Sequence, residues 1–356
     1  MKKYSKVFFA LAGLFLAAFI VLGDGWLLMG FWVSIAIAFR GIELLKGYSY
    51  TILIFAAVSL SMYYPTYFMS VGDFKLSKLI TPLLQIIMFG MGTSLSVKDF
   101  AAVVKMPKGV IAGVLCHYII MPLVAFAITL IFPFPAEVAA GIILVGSCPN
   151  GLASNVMTYL AKANLALSVT LTAISTFLAP FVTPMFMRLL GGQYIEVDVI
   201  KMLLDIVYIT IIPIVAGLIF NYFLHGKFKV LDKIMPLLSM GGIMLIIVVI
   251  TATGRDNLLT VGPLLLVAVL MHNMSGYFLG YWSSRLLLRM PEVDCRTIAI
   301  EVGLQNAGLA SGLANAMGKI ASVGLAAAVF GPVMNITGST LALWWRSKPI
   351  KEESSV

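Results

Sequence analysis

The chain has 356 residues, 61% of them hydrophobic and only 11% charged, and its mean hydropathy is +1.03. No water-soluble core is that apolar, so the composition reads as an all-α polytopic membrane protein. The formal net charge of +9 raises a nucleic-acid partner, which the placement of the basic residues then argues against.

Apolar runs long enough to cross a bilayer lie near residues 7–22, 26–45, 49–67, 79–97, 109–132 and 138–160. Six more lie near 166–190, 202–224, 235–253, 262–288, 297–317 and 320–345. Twelve spans put both termini on one side. With the N-terminus inside, eighteen Lys and Arg fall in inside segments, against six outside: Lys75, Lys78, Arg188, Lys201, Arg255 and Lys319. That is the positive-inside pattern, so the basic balance records topology. Cys116, Cys148 and Cys295 are isolated in or beside apolar spans and give neither a disulfide framework nor a metal spacing. They read as small packing residues.

Lys2, Lys3 and Lys6 followed by an apolar run resemble a signal peptide. No A-x-A site follows, however, and Gly23-Asp24-Gly25 leads into a second apolar run ending near Arg40, which favours a retained helical hairpin over residues 1–45. With little polar content, the hairpin suits packing or insertion. The span at 49–67 ends in Tyr63-Tyr64-Pro65, an aromatic interface with a proline stop, and the next carries Gly90-Met91-Gly92 for close helix approach. The span at 109–132 holds His117 five residues before Pro122. Such a His packs silently in many helices, but ionisable groups at membrane depth are rarely idle.

The span at 138–160 is interrupted by GSCPNGLASN, residues 146–155. Pro149 removes a backbone donor, Gly151 relaxes the chain, and Asn150, Ser154 and Asn155 supply side-chain oxygens at the break. Freed backbone at this depth must be buried in protein or line a wet cavity. Ser168, Thr172 and Ser175 then share one face of the following helix. Asp205 lies near the start of its span and reads as interfacial.

The second half answers the first. GLAS occurs at 151–154 and again at 308–311, each after an Asn, with His117 and His272 upstream and Pro180 and Pro332 downstream. The two interrupted spans are five apart in the order, so they run oppositely, as in an inverted repeat. Gly/Pro-interrupted segments at matching positions of two halves point to a transporter's midplane site. The second break, EVGLQNAGLASGLA at 301–314, places the carboxylate of Glu301 beside Gln305 and Asn306 in an almost wholly apolar stretch. A carboxylate there is costly unless it meets a cation or a cavity. Ser154, Asn155, Ser168, Thr172, Glu301 and Gln305, with carbonyls near Val302 and Leu304, form a hard-oxygen set that suits Na⁺ first and H⁺ second. The half-helix N-termini at the breaks favour an anionic substrate group beside the ions.

These motifs resemble those of the bile acid:sodium symporter family, in particular its bacterial members, over roughly residues 49–345. FGMG at 89–92, CPNGLASNVMTYLA at 148–161, ALSVTLTAISTFLAPFVTP at 166–184 and EVGLQNAGLA at 301–310 carry the resemblance. It implies secondary active transport by ten core helices in two inverted five-helix repeats, about 49–190 and 202–345, arranged as panel and core domains. It implies two sodium ions, the first at Ser154, Asn155, Ser168, Thr172 and Glu301. The second would meet Glu301, Val302, Leu304, Gln305 and His117, with His117 standing where bacterial members have Gln. Substrate-facing positions would be Asn150, Gly151, Asn306 and Asn335. Asn150 and Leu152 depart from the usual CPGGTASN pattern, Met334 replaces a polar residue of some relatives, and the hairpin has no counterpart in the ten-helix core.

The expected function is therefore sodium-coupled uptake of an organic anion, a bile acid or a pantoate-like carboxylate, with no enzymatic constellation. The expected place is a bacterial inner membrane, with both termini and the 346–356 tail cytoplasmic. The expected partners are sodium, the anion and the bilayer, with no nucleic acid and no obligate protein partner. The competing transport reading is a cation/proton antiporter with Glu301 as proton carrier.

Overall fold

The computed structural model describes residues 2–43, 45–96, 106–224, 229–348 and 350. The basic residues Lys98, Lys105, Lys227 and Lys351 of the topology argument lie outside them.

The described chain is nearly all helical. The hairpin is α1 (Lys2–Leu22) and α2 (Gly25–Arg40), followed by α3 (Ser49–Tyr63), α4 (Ile80–Ser94) and α5 (Pro107–Ile131). The first interrupted span is α6 (Ala136–Ser147) and α7 (Ala153–Leu160), followed by α8 (Leu165–Phe186) and α9 (Val199–Leu224). Then come α10 (Lys229–Thr253) and α11 (Arg255–Trp282). The second interrupted span is α12 (Glu292–Gly303) and α13 (Ala307–Ala316), and α14 (Val323–Arg346) closes the fold.

Among the described residues eight helices are long and apolar enough to cross a membrane unaided. The other four expected spans are helical but shorter or divided. α2 has 16 residues and α3 has 15, and the divided spans carry 12 and 8, then 12 and 10. At 1.5 Å per residue each divided pair still covers about 30 Å, the thickness of a hydrocarbon core. The run expected to continue to residue 67 stops at Tyr63, because Pro65 cannot extend the helix; a two-stranded ribbon, Ser70–Val71 with Phe74–Lys75, follows before α4.

Two packing groups position the site. In one, α2 packs on α3, α3 on α10, and α4 on α9 and α10. The α4–α9 crossing is backbone to backbone: a Cβ on Gly217 would lie 2.9 Å from the Gly92 Cα, so only small residues permit it. In the other, α5 packs on α6, α8, α11 and α12, while α14 packs on α6, α7, α11 and α13. α13 touches both groups, with Leu84 of α4 seated against Gly308 and Gly312.

Candidate functional site

The two breaks cross one another. Asn150 and Gln305 form an isolated antiparallel bridge, with the Gly151 N–H donating to the Leu304 carbonyl (3.1 Å) and the Asn306 N–H donating to the Pro149 carbonyl (2.9 Å). Backbone freed by Pro149 and by the end of α12 is therefore satisfied by the other break, which is why two interruptions are tolerated where one would be costly.

Side chains complete the accounting. Thr183 donates to the Ser147 carbonyl (2.7 Å), Asn273 to that of Gly303 (2.8 Å) and Gln305 to that of Val302 (2.8 Å). Asn273 is itself held by the Thr337 hydroxyl at 2.5 Å. His117 Nε2 lies 2.9 Å from the Cys148 carbonyl and so carries the ring proton. Sequence reasoning misses Thr183, Asn273 and Thr337. Each shows there only as a lone polar residue in an apolar span, which does not say which carbonyl it serves.

Glu301 sits at the crossing and is completely buried. Its carboxylate accepts from Ser168, from Thr172 (3.1 Å) and from Asn150 Nδ2 (2.7 Å), and its own backbone carbonyl also accepts from Asn150 (2.8 Å). Ser168 Oγ also lies 2.8 Å from Asn155 Oδ1, and Ser154 lies 3.2 Å from the Thr172 hydroxyl. Ser154, Asn155, Ser168, Thr172 and Glu301 thus converge on one small volume. Helices α7, α8 and α12 contribute them, with the Ser168/Thr172 spacing keeping both hydroxyls on one face of α8. Among the described residues no Lys or Arg pairs with this carboxylate.

Further bare acceptors belong to the two breaks themselves and to α5, which reaches the first break through His117. Asn150 Oδ1, Gln305 Oε1 and His117 Nδ1 are buried with no hydrogen-bond donor among the described residues. The carbonyls of Val302 and Leu304, each already accepting one bond, keep a second lone pair. Bare acceptors at this depth cost several kcal/mol apiece unless a cation or a donor meets them. The residues fit a hard monovalent ion better than anything else the chain offers.

The expected substrate positions divide. Gly151, Asn306 and Asn335 line a cavity of about 170 Å³ between the two packing groups, together with Tyr50, Leu84 and Met334. Among the described residues, none that lines it carries a charged side chain. Asn150 is placed differently from the expectation: it is 2% exposed, does not line the cavity, and spends its amide on Glu301. The cavity also receives the starts of α7 and α13, and Asn306 caps α13 by accepting from the Leu309 N–H (2.9 Å).

Comparison with known proteins places this architecture. The profile of the Sodium Bile acid symporter family matches residues 81–261. The chain is 40% identical over 315 residues to the Bacillus subtilis protein named "Uncharacterized sodium-dependent transporter YocS", covering 88% of this chain and 96% of that one. It is 36% identical to the Arabidopsis thaliana protein named "Probable sodium/metabolite cotransporter BASS1, chloroplastic", over 75% of this chain and 66% of that one. It is 30% identical to the human ileal sodium/bile acid cotransporter, over 66% of this chain and 68% of that one. With a profile match over half its length and a 40% identical relative aligned nearly end to end, this integral membrane chain belongs to the sodium bile acid symporter family.

Proposed function

We propose that the protein imports a small organic anion by sodium-coupled symport with alternating access. The observation that carries this reading is Glu301, fully buried at the crossing of two broken helices and met by neutral hydroxyl and amide groups, with no protein cation among the described residues. An isolated buried carboxylate needs a counter-charge, and a transported ion supplies one that comes and goes. One sodium ion is held by Ser154, Asn155, Ser168, Thr172 and Glu301. A second is held by Glu301, Val302, Leu304, Gln305 and His117 Nδ1, with Asn150 joining through its unpaired Oδ1.

The substrate carboxylate lies at the starts of α7 and α13 beside Asn306, where helix dipoles and backbone N–H groups favour an anion without any Arg or Lys. The apolar body faces α4 and α10. A cavity of about 170 Å³ is well below the ~300–1,000 Å³ of sites for drug-sized ligands, which supports a short branched carboxylate over a steroid acid. The repeats are 49–190 and 202–345. The group containing α3, α4, α9 and α10 forms the panel, and α5–α8 with α11–α14 form the core. The protein sits in a bacterial inner membrane with both termini cytoplasmic.

The test is uptake into proteoliposomes across an imposed sodium gradient, with a panel of pantoate-like, keto and steroid acids. Sodium-dependent accumulation of a short acid is expected. Sodium flux against a proton gradient with no organic substrate would give the site to the antiporter reading instead.

A further inference from the structure

Away from the ion site, the ends of α11 and α14 and the start of α12 meet at one membrane face. Tyr281 of α11 stacks on Trp345 of α14 with ring centroids 6.0 Å apart. Arg296 of α12 donates to the carbonyls of Trp345 (3.1 Å) and Lys348 (2.9 Å), and its Nε pairs with Glu292 at 2.7 Å. These residues line a cavity of about 460 Å³ that is open at the surface, where its lining residues Phe278 and Trp344 are 63% and 49% exposed. In a chain that spans a bilayer those outer side chains face lipid.

The charge at this mouth is uneven. Arg285, Arg289, Arg346 and Lys348 lie in the adjoining segments. Of the nearby acids, Glu292 is committed to Arg296 and to the Tyr281 hydroxyl (2.7 Å), and Asp294 accepts from Asn164 (2.8 Å). Lys348 Nζ rests 4.1 Å above the Trp344 ring, with no carboxylate in salt-bridge range among the described residues. Arg296, only 6% exposed, lines the cavity, and its Nη2 has no acceptor among the described residues. The volume lies in the ~300–1,000 Å³ range of small-molecule sites. Trp282, Trp344 and Trp345 are three of the five tryptophans in the chain, a concentration typical of the headgroup level.

We propose that this cavity is a binding site for an anionic phospholipid, with its phosphate at Lys348 and the Arg296 Nη2 and an acyl chain running outward along Phe278 and Met274. Charge complementarity selects an anion, and an opening beside exposed apolar side chains of a membrane-spanning chain selects an occupant that arrives from the bilayer. On the proposed topology this is the cytoplasmic leaflet.

The experiment is native mass spectrometry of the full-length, delipidated protein titrated with phosphatidylglycerol or phosphatidylcholine of identical chains. One phosphatidylglycerol should be retained roughly tenfold more strongly than phosphatidylcholine, as one to two basic contacts near the surface would give. Lys348→Glu should remove that preference, and Leu341→Trp, which fills the cavity, should remove the retained lipid. Tryptophan quenching of the wild-type protein by brominated phosphatidylglycerol, stronger than by its brominated phosphatidylcholine counterpart, supports the site without any variant. Equal retention and quenching by the two lipids overturns the proposal. So does displacement by millimolar glycerol 3-phosphate, which would make it a soluble-phosphate site. A rise in lipid retention on truncation after Ile350 would overturn it too, by assigning the cavity to the tail.

Discussion

Glu301 concentrates the physics of this protein in one side chain: three donors reach its carboxylate, yet no protein cation does among the described residues. Glu301→Gln keeps the shape and removes the charge. Losing the ion's main counter-charge in a buried site costs about 3 kcal/mol or more, over a hundredfold in sodium affinity, so sodium-driven uptake should fall to background while insertion is unchanged. Normal uptake by the variant would sink the two-ion assignment. His117 offers a bare Nδ1 to the second ion, so the test is whether an acceptor is needed at that position. His117→Gln, which keeps an acceptor, should hold apparent sodium affinity near that of the wild type, and His117→Leu, which removes it, should weaken it. Unchanged affinity in His117→Leu would mean the ring only packs. Asn273→Ala strips the Gly303 carbonyl of its donor, a loss of about 1–3 kcal/mol. Lower thermal stability together with weaker sodium binding is expected, whereas a variant indistinguishable in both would show that the carbonyl finds another partner.

At the scale of elements, the hairpin α1–α2 joins the rest of the fold through α2, which packs along α3. Asp24 caps α2 and accepts from the Tyr64 hydroxyl (2.7 Å) and the Trp26 N–H (2.9 Å), which hold its carboxyl below the usual carboxylate range. A lowered pKa means that this stabilisation is complete above the ordinary carboxylate value of about 4 and fades as pH falls through the lowered one. Since Asp24 is exposed, the contribution is small. A fluorescence distance reporter between α2 and α3 should show docking that loosens in acid in the wild type and does so less in Asp24→Asn. Deleting residues 1–45 should reduce expression or insertion more than it alters substrate or sodium affinity, because an even number of removed spans preserves the topology of the rest. Changed affinity in a well-expressed truncated protein would place the hairpin in the transport cycle.

At the scale of the whole molecule, the proposed alternating-access cycle has the two packing groups moving past one another, and Leu84 against Gly308 and Gly312 is where they touch beside the cavity. With Cys116, Cys148 and Cys295 replaced by Ala, a reversible cross-link between Leu84→Cys and Gly312→Cys should block uptake, and reductant should restore it. Uptake that continues through the cross-link would show that this contact stays closed throughout the cycle.

The sequence by itself determined the class of molecule, the positions of the spans and both interruptions. Hydropathy is a local sum, and Pro149, Gly151 and Gly303 act on their own backbone. It also made Glu301, Ser168 and Thr172 legible, since a polar side chain in an apolar run is too costly to keep without a partner or a task. What a chain cannot display is which long-range partner a polar group finds. Only the tertiary structure decided that the breaks bridge at Asn150 and Gln305, that Asn150 turns to Glu301 instead of the cavity, and that Asn273, 30 residues from Gly303, holds its carbonyl. Those choices follow from the crossing of two half-helices, where each backbone must satisfy the other because no water is there to do it.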